Sequence, residues 1–462
     1  MQSDFRGDLR ERAPLEKGFL RVTTPFEAFF NSQTSAGLVL VIAAIIALLL
    51  ANSDFYPIYA ELNKAPLSVS LGSFEFSHSL HYWVNDGLMA FFFFLLGLEI
   101  KYEVLVGDLS DAKDASLVIA MALGGMIFPA AMYVCVLSFL GADAWRGWGI
   151  PMATDTAFAL GILALLGSKA PRSVAVALSA LAIVDDMGAV AVIGLFYTEN
   201  IELSMLFNAA IVFGILVAMN LVGIRRPIFY FFVGVVLWWC ILQSGVHATT
   251  AGILTALTVP TKPYLGTQWF SRQMRALLKR FDRIDQPGQS IVEDREQHHI
   301  AEQAERLARR TTSPVLKWSH TLDRPVAMFI LPLFAFLNAG VIIPNELNIG
   351  ADSAVLVAVC FGLVFGKVMG ITLFAWASMK MGFSRLPSDM TFAHVVGLGC
   401  LAGIGFTMSL FIAALAFADM PELQAQAKLG ILAGSLMSGI FGVAVFIVTS
   451  STHNKKEPIH GR

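Results

Sequence analysis

From Ser35 to Ser450 long apolar runs alternate with short polar breaks, and most runs approach the roughly 20 residues a helix needs to cross a bilayer core. The pattern predicts about twelve spans, at roughly 36–52, 85–104, 116–140, 147–165, 172–197, 203–222, 227–241, 245–259, 323–342, 352–378, 390–415 and 425–450. The fold class that follows is an all-α polytopic membrane protein, because a helix satisfies its backbone within one segment. The chain then divides into an N-terminal segment 1–30, a first membrane part 31–260 of about eight helices, a charged loop 261–322, a second membrane part 323–450 of about four helices, and a tail 451–462.

Two runs carry interruptions. The span 147–165 reads GWGIPMATDTAFALGILAL and sets Pro151, Thr154, Asp155 and Thr156 where a plain helix prefers apolar residues. The span 390–415 includes GLGCLAGIGFTMSLFIAAL, with Gly397, Gly399, Gly403 and Gly405 ahead of Thr407 and Ser409. Both look like helices broken near mid-membrane, whose free ends offer amides and carbonyls to an ion. Glycine also serves close helix packing, so either segment alone fits a packing face as well as a break. Two of them in opposite halves of the chain favour breaks. In the loop, WFSRQMRALLKRFDRI places Phe270, Met274, Leu277, Phe281 and Ile284 at helical spacing opposite Arg272, Arg275, Lys279, Arg280 and Arg283. This predicts a basic amphipathic helix, either lying on the inner leaflet or acting as a solvated linker. The stretch EDREQHHIAEQAERLARR predicts a charged helix, and His298 with His299 is slight evidence for a metal site.

Composition agrees with the pattern, since 56% of the 462 residues are hydrophobic and 14% charged. If the N-terminus is cytoplasmic, the external loops hold only Lys64 and Arg146, with Lys428 near a helix end. Arg225, Arg226, Lys380, Arg385, Lys455, Lys456 and the basic residues of 261–322 then lie inside, so the positive-inside rule puts both ends in the cytoplasm. The first 25 residues have no apolar core before a small-residue cleavage site, so the first helix is expected to stay in place. The net charge of -2 says nothing useful about partners, and no nucleic-acid partner is expected. Cys135, Cys240, Cys360 and Cys400 have no close spacing and read as small buried hydrophobes.

The chemistry concentrates where charge enters apolar sequence. Asp185 and Asp186 stand together inside VAVALSALAIVDDMGAVAVIGLFY, where insertion scales set about 3 kcal/mol against each ionised carboxylate. Such a pair is expected to bind a cation, share a proton or alternate between the two. Lys367 in VCFGLVFGKVMGITLFAW lies too far from either end to snorkel and needs an acidic neighbour or negative helix ends. A structural ion pair with Asp185 and a lysine that changes protonation during turnover both remain open. In NDGLMAFFFFLLGLEIKYE, Asp86 reads as a cap, and Glu99 and Glu103 sit one turn apart, as an interfacial anchor or an acidic mouth. His247 and His394 lie near span ends, where a helix-end role and a pH-responsive one are both open.

With IVDDMGAVAV, ATDTAFALG, FGKVMGI, GVHATTAGIL, LPLFAFLNAG and GIGFTMSLFIAALAF in order, the chain closely resembles NhaA-type bacterial sodium/proton antiporters from about residue 25 to 450. The resemblance implies inverted repeats with two broken helices crossing beside the aspartates, and a homodimer in the bacterial inner membrane. It implies Asp186 as principal Na+ or Li+ ligand, Asp185 as its partner titrating or pairing with Lys367, and Thr154 near the ion. Asp155 and Lys367 would compensate half-helix ends, and Glu99, Glu103 and His247 would match positions tied to pH response, with His320 alignable beside them. No cofactor is implied, only transported Na+ or Li+ and protons. The chain departs from the family pattern at Tyr102, where arginine is common, at Asp323, where a second histidine is often found, and in a longer loop over 261–312. These departures bear on inherited pH regulation, while exchange itself is untouched.

The expected activity is electrogenic, pH-regulated exchange of Na+ for protons by alternating access, with both ions competing at the aspartate pair. An intramembrane aspartyl protease also needs two aspartates, but neighbours on one helix point about 100° apart and do not converge on one water. A sodium-coupled solute symporter and a passive sodium channel are the other readings. Solute uptake without proton countermovement marks the first, and flux that persists when proton exchange is blocked marks the second.

Overall fold

The structure, a computed structural model, describes residues 33–71, 74–107, 112–198, 201–263, 265–284, 295–344 and 353–454. Among them, seven helices are long and apolar enough to cross a membrane: Ala115–Leu140, Trp145–Leu166, Arg172–Phe196, Leu203–Val222, Pro314–Asn338, Ala354–Lys380 and Pro421–Ser450. Two bent pairs pass the same test together and raise the number to nine: Ser35–Ala51 with Tyr56–Lys64, bent by 115°, and Phe392–Ala402 with Phe406–Ala416, bent by 46°. The other expected runs are helical but shorter or more charged. Pro227–Gln243 has 17 residues, Thr250–Thr258 has nine, and Met89–Leu105 carries Glu99, Lys101 and Glu103.

The first bend follows from Asn52. Its side-chain amide donates to Leu48 O and to Val341 O, both at 2.8 Å, while its Oδ1 accepts from Ile343 N. The helix therefore ends in a polar knot with a distant loop. Beyond it lies a departure from the all-α expectation, a hairpin in which Pro66–Leu71 pairs antiparallel with Phe74–Ser79. Leu67, Val69 and Leu71 alternate with polar residues as a strand requires, but six residues of alternation are inconspicuous beside runs of twenty.

Apolar side chains cover both the inside and the outside. Phe139 is 90% exposed and Leu221 83%, an arrangement suited to lipid contact. Cys135 faces outward in the same way, correcting the expectation that all four cysteines are buried. Cys240 and Cys400 are buried, Cys360 is partly covered, and all four are free. The deepest part of the core is Phe392–Ala402 with Phe406–Ala416, buried along nearly their whole length. Against them lies the helix carrying Lys367, pressed in turn onto Ala112–Leu140. Gly124 and Gly370 meet there backbone to backbone, so a Cβ on either would overlap the other's carbonyl. Pro129 sits against Gly362 and Gly366, in the wider π-helical turn that precedes Lys367.

Both loop helices form, as Thr267–Ile284 and Arg295–Thr311, joined by an Arg280–Glu296 ion pair at 2.6 Å. The apolar stripe Phe270, Met274, Leu277, Phe281 and Ile284 is half-buried, while Arg272, Arg275, Lys279 and Arg283 on the opposite face are exposed. The excursion closes at its neck, where Ser313 Oγ donates to Thr261 O at 2.7 Å. His298 approaches Glu302 and His299 contacts Gln303, both one turn on along the same helix.

Candidate ion-binding site

Asp185 and Asp186 lie midway along Arg172–Phe196, on the part of that helix that faces protein. Thr154, Asp155, Asp185, Asp186 and Lys367 are each 3% exposed or less, so the site is closed on all sides in this structure. Lys367 Nζ pairs with Asp185 Oδ2 and donates to Thr154 Oγ1 at 2.9 Å. Thr154 Oγ1 in turn lies 2.8 Å from Asp185 Oδ2 and 2.8 Å from Ala402 O, with one hydrogen to give to either. Asp185 Oδ1 and Asp186 Oδ1 are buried with no hydrogen-bond partner among the described residues. Two orphaned carboxylate oxygens on adjacent residues are costly unless a cation or proton joins them.

The interruptions in the sequence are real breaks, and they touch. Residues Trp145–Met152 form a tight 3-10 helix, the chain extends at Ala153, and Thr156–Leu166 restarts as α-helix. Opposite, Phe392–Ala402 stops and Phe406–Ala416 begins after Gly405. Asp155 caps both restarts. Its Oδ1 accepts from Phe158 N at 3.0 Å, and its Oδ2 accepts from Thr407 N at 3.1 Å and Thr407 Oγ1 at 2.7 Å. Asp155 N also donates to Ile404 O at 2.6 Å. Ser409 Oγ donates to Ile150 O at 2.7 Å, the counterpart of the Thr154 bond to Ala402 O. A helix N-terminus carries roughly half a positive charge, so one carboxylate balances the two ends it caps.

The four residues expected at the ion site, Thr154, Asp185, Asp186 and Lys367, thus come together beside Asp155, expected at the half-helix ends; Thr407 bonds Asp155, and Ser409 bonds the first break at Ile150. The sequence displayed both hydroxyls after the glycines, but nothing in it paired Thr407 with Asp155. The proposed pH-response residues are dispersed. Glu99 lies within electrostatic reach of Asp186, Glu103 and Asp323. Lys101, which sequence reasoning missed, donates to Leu257 O at 2.6 Å and Val259 O at 2.5 Å, at the C-terminus of Thr250–Thr258. His247 precedes the other end of that nine-residue helix, and its Nε2 contacts Tyr197 O at 2.8 Å, just past the aspartate helix. His320 is exposed on Pro314–Pro325 and is not brought to the aspartates. His394 is a helix-end histidine, its Nδ1 accepting from Thr391 N at 3.0 Å.

Comparison with known proteins gives the family of the chain as a whole. The family described as Na+/H+ antiporter 1 matches residues 27–446. A relative from Pseudoalteromonas atlantica, called Na(+)/H(+) antiporter NhaA 1, is 60% identical over 440 residues, covering 95% of this chain and 93% of its own length. One of the same name from Saccharophagus degradans is 46% identical, with 92% of each chain covered. The Na(+)/H(+) antiporter NhaA of Sulfurimonas denitrificans is 43% identical over 93% of this chain and 96% of its own. Matched along nearly its whole length by a family and by relatives this similar, the chain belongs to the NhaA-type Na+/H+ antiporters.

Proposed function

We propose that this chain exchanges Na+, or Li+, for protons across the bacterial inner membrane, and that the two compete for Asp185 and Asp186. The observation that carries this reading is the pair of buried, unpartnered Oδ1 atoms beside a lysine already committed to Asp185. Asp155 is balanced by the helix ends it caps, so the ionised set Asp185, Asp186 and Lys367 is left with one net negative charge. One sodium ion or one proton neutralises it, which makes occupancy exclusive. Asp186 is the principal cation ligand, Asp185 and Thr154 complete the site, and Lys367 holds Asp185 when no cation does.

A site closed in this structure exchanges ions by opening to one side at a time, and the charge it carries decides when it opens. Broken helices that cross at the site within an inverted repeat of about twelve spans fit this cycle. If more than one proton returns per sodium, the cycle moves net charge and responds to voltage at about 2.3 kcal/mol per charge per 100 mV. Both termini lie in the cytoplasm, and the working form is a homodimer in lipid. For pH regulation, Glu99 and Glu103 form one acidic cluster and His247 a separate element, with His320 outlying. Asp323 adds a negative charge to the Glu99 cluster, where relatives often carry a histidine.

The test is sodium-induced proton movement in sealed proteoliposomes across a range of pH. The native chain collapses a proton gradient on adding sodium, and Asp186→Asn does not. Exchange retained at normal sodium affinity in Asp186→Asn would reject the assignment, and no native response would redirect the search to symport.

A further inference from the structure

The two oxygens of Asp185 meet different surroundings. Oδ2 is taken by Lys367 and Thr154, while Oδ1 is buried with no hydrogen-bond partner among the described residues. Against Oδ1, from Ala112–Leu140, lies Gly125: a Cβ built on that glycine would stand 3.6 Å from the oxygen, in van der Waals contact with it. The Gly125 amide sits in a helix interior and bonds along its own helix, so the residue offers Oδ1 room and no donor.

Two close approaches fix Gly125 in this place. Gly124 meets Gly370 of the lysine helix backbone to backbone, and Met126 lays its Sδ against Gly188, one turn beyond Asp185, where any Cβ would overlap the sulfur. Successive residues on a helix point about 100° apart, so Gly125 faces the gap between these two contacts. Ile371 of the lysine helix closes one side of that gap, its Cγ1 3.1 Å and its Cδ1 3.4 Å from the same Cβ position. Packing accounts for the glycines at 124 and 188, whose neighbours leave no space for a side chain. It does not account for Gly125, where the tightest neighbour is an isoleucine side chain that can shift, and where alanine suits a helix better than glycine. What a methyl at 125 would fill is the room beside the orphaned oxygen.

We propose that Gly125 sets the size of the cation the aspartate pair accepts: by lacking a side chain it keeps open at Asp185 Oδ1 the space that sodium needs and that the smaller lithium needs less. This rests on the aspartate pair as the cation site, as proposed above, and not on exchange itself. Oxygen ligands stand about 2.4 Å from a cation the size of calcium, which sodium matches, and about 2.0 Å from one the size of magnesium, which lithium approaches. A methyl resting on Oδ1 therefore crowds sodium and its remaining ligands first.

Isothermal titration of the purified full chain with sodium chloride and with lithium chloride, at one alkaline pH, tests this in the native protein and in Gly125→Ala. Sodium affinity is expected to fall about tenfold, the order that one methyl group commands in a fitted pocket, and lithium affinity about threefold or less. Adding Ile371→Val removes the Cδ1 contact and keeps the methyl on Oδ1, so the sodium loss persists in the double variant. Measured against Ile371→Val alone, that double variant also carries the test should Gly125→Ala not insert. Equal weakening of both ions, or sodium affinity regained in the double variant, is what packing alone gives and overturns the proposal, as does no weakening at all. In proteoliposomes, a native chain that binds both ions but moves no protons sinks the exchange reading and leaves the role of Gly125 standing. A native chain that binds neither ion overturns both.

Discussion

Lys367 and Thr154 divide the stabilisation of Asp185 between a charge and a hydrogen. Removing the charge leaves a buried carboxylate uncompensated, a loss of about 3–5 kcal/mol for a broken buried pair. Lys367→Gln is accordingly expected to lower the thermal midpoint at neutral pH, and less at acidic pH, where protonating Asp185 relieves it; an equal loss at both would show that the pair is not ionic in the resting protein. Thr154→Val removes only the hydroxyl. Its expected effect is exchange that persists with about tenfold weaker apparent sodium affinity, while Thr154→Ser stays near native. The aspartates, Lys367 and Thr154 were legible in the sequence because polar side chains in apolar runs are expensive and therefore conspicuous. Lys101 was not, since its service to the carbonyls of residues 257 and 259 depends on where another helix ends.

At the scale of elements, proline and glycine announced both breaks, but not that a single side chain caps the two restarts. Loss of a cap costs about 1 kcal/mol, so Asp155→Ala, which uncaps two helices at once, is expected to cost about twice that, with Thr407→Val costing the smaller share in the same melts. Comparable losses for the two would mean that the Phe158 bond contributes little. Gly405 answers a different demand. A Cβ there would come 3.0 Å from Ala153 O and overlap Ser409 Oγ, so Gly405→Ala is expected to wedge the breaks apart and stop exchange in a protein that still inserts. The hairpin of Pro66–Leu71 with Phe74–Ser79 escaped sequence reading because six residues of alternation are faint beside runs of twenty, and the 115° turn after Ala51 because Asn52 finds its partners at the remote residues 341 and 343.

At the scale of the molecule, hydropathy conveyed the class and most of the span positions, while the way the spans meet is a matter of packing. Backbone contact between Gly124 and Gly370 fixes the lysine helix one turn from its ion pair, yet in the sequence these are two glycines among 38. The loop offers the opposite case. Its helices are obvious in the pattern, and its neck closes at Thr261 and Ser313 without them. Replacing 265–311 with a short Gly/Ser linker is therefore expected to leave sodium affinity in proteoliposomes unchanged, and a large change would give the loop a role in the cycle. Two bonds between the breaks run in opposite directions, from Asp155 N to Ile404 O and from Ser409 Oγ to Ile150 O. Each half thus grips the other's open carbonyl end, and neither can tilt alone without baring a polar group in a dry interior. The smallest body that can move is the coupled pair, so on the exchange reading proposed above any motion that loosens one break has to carry the other with it.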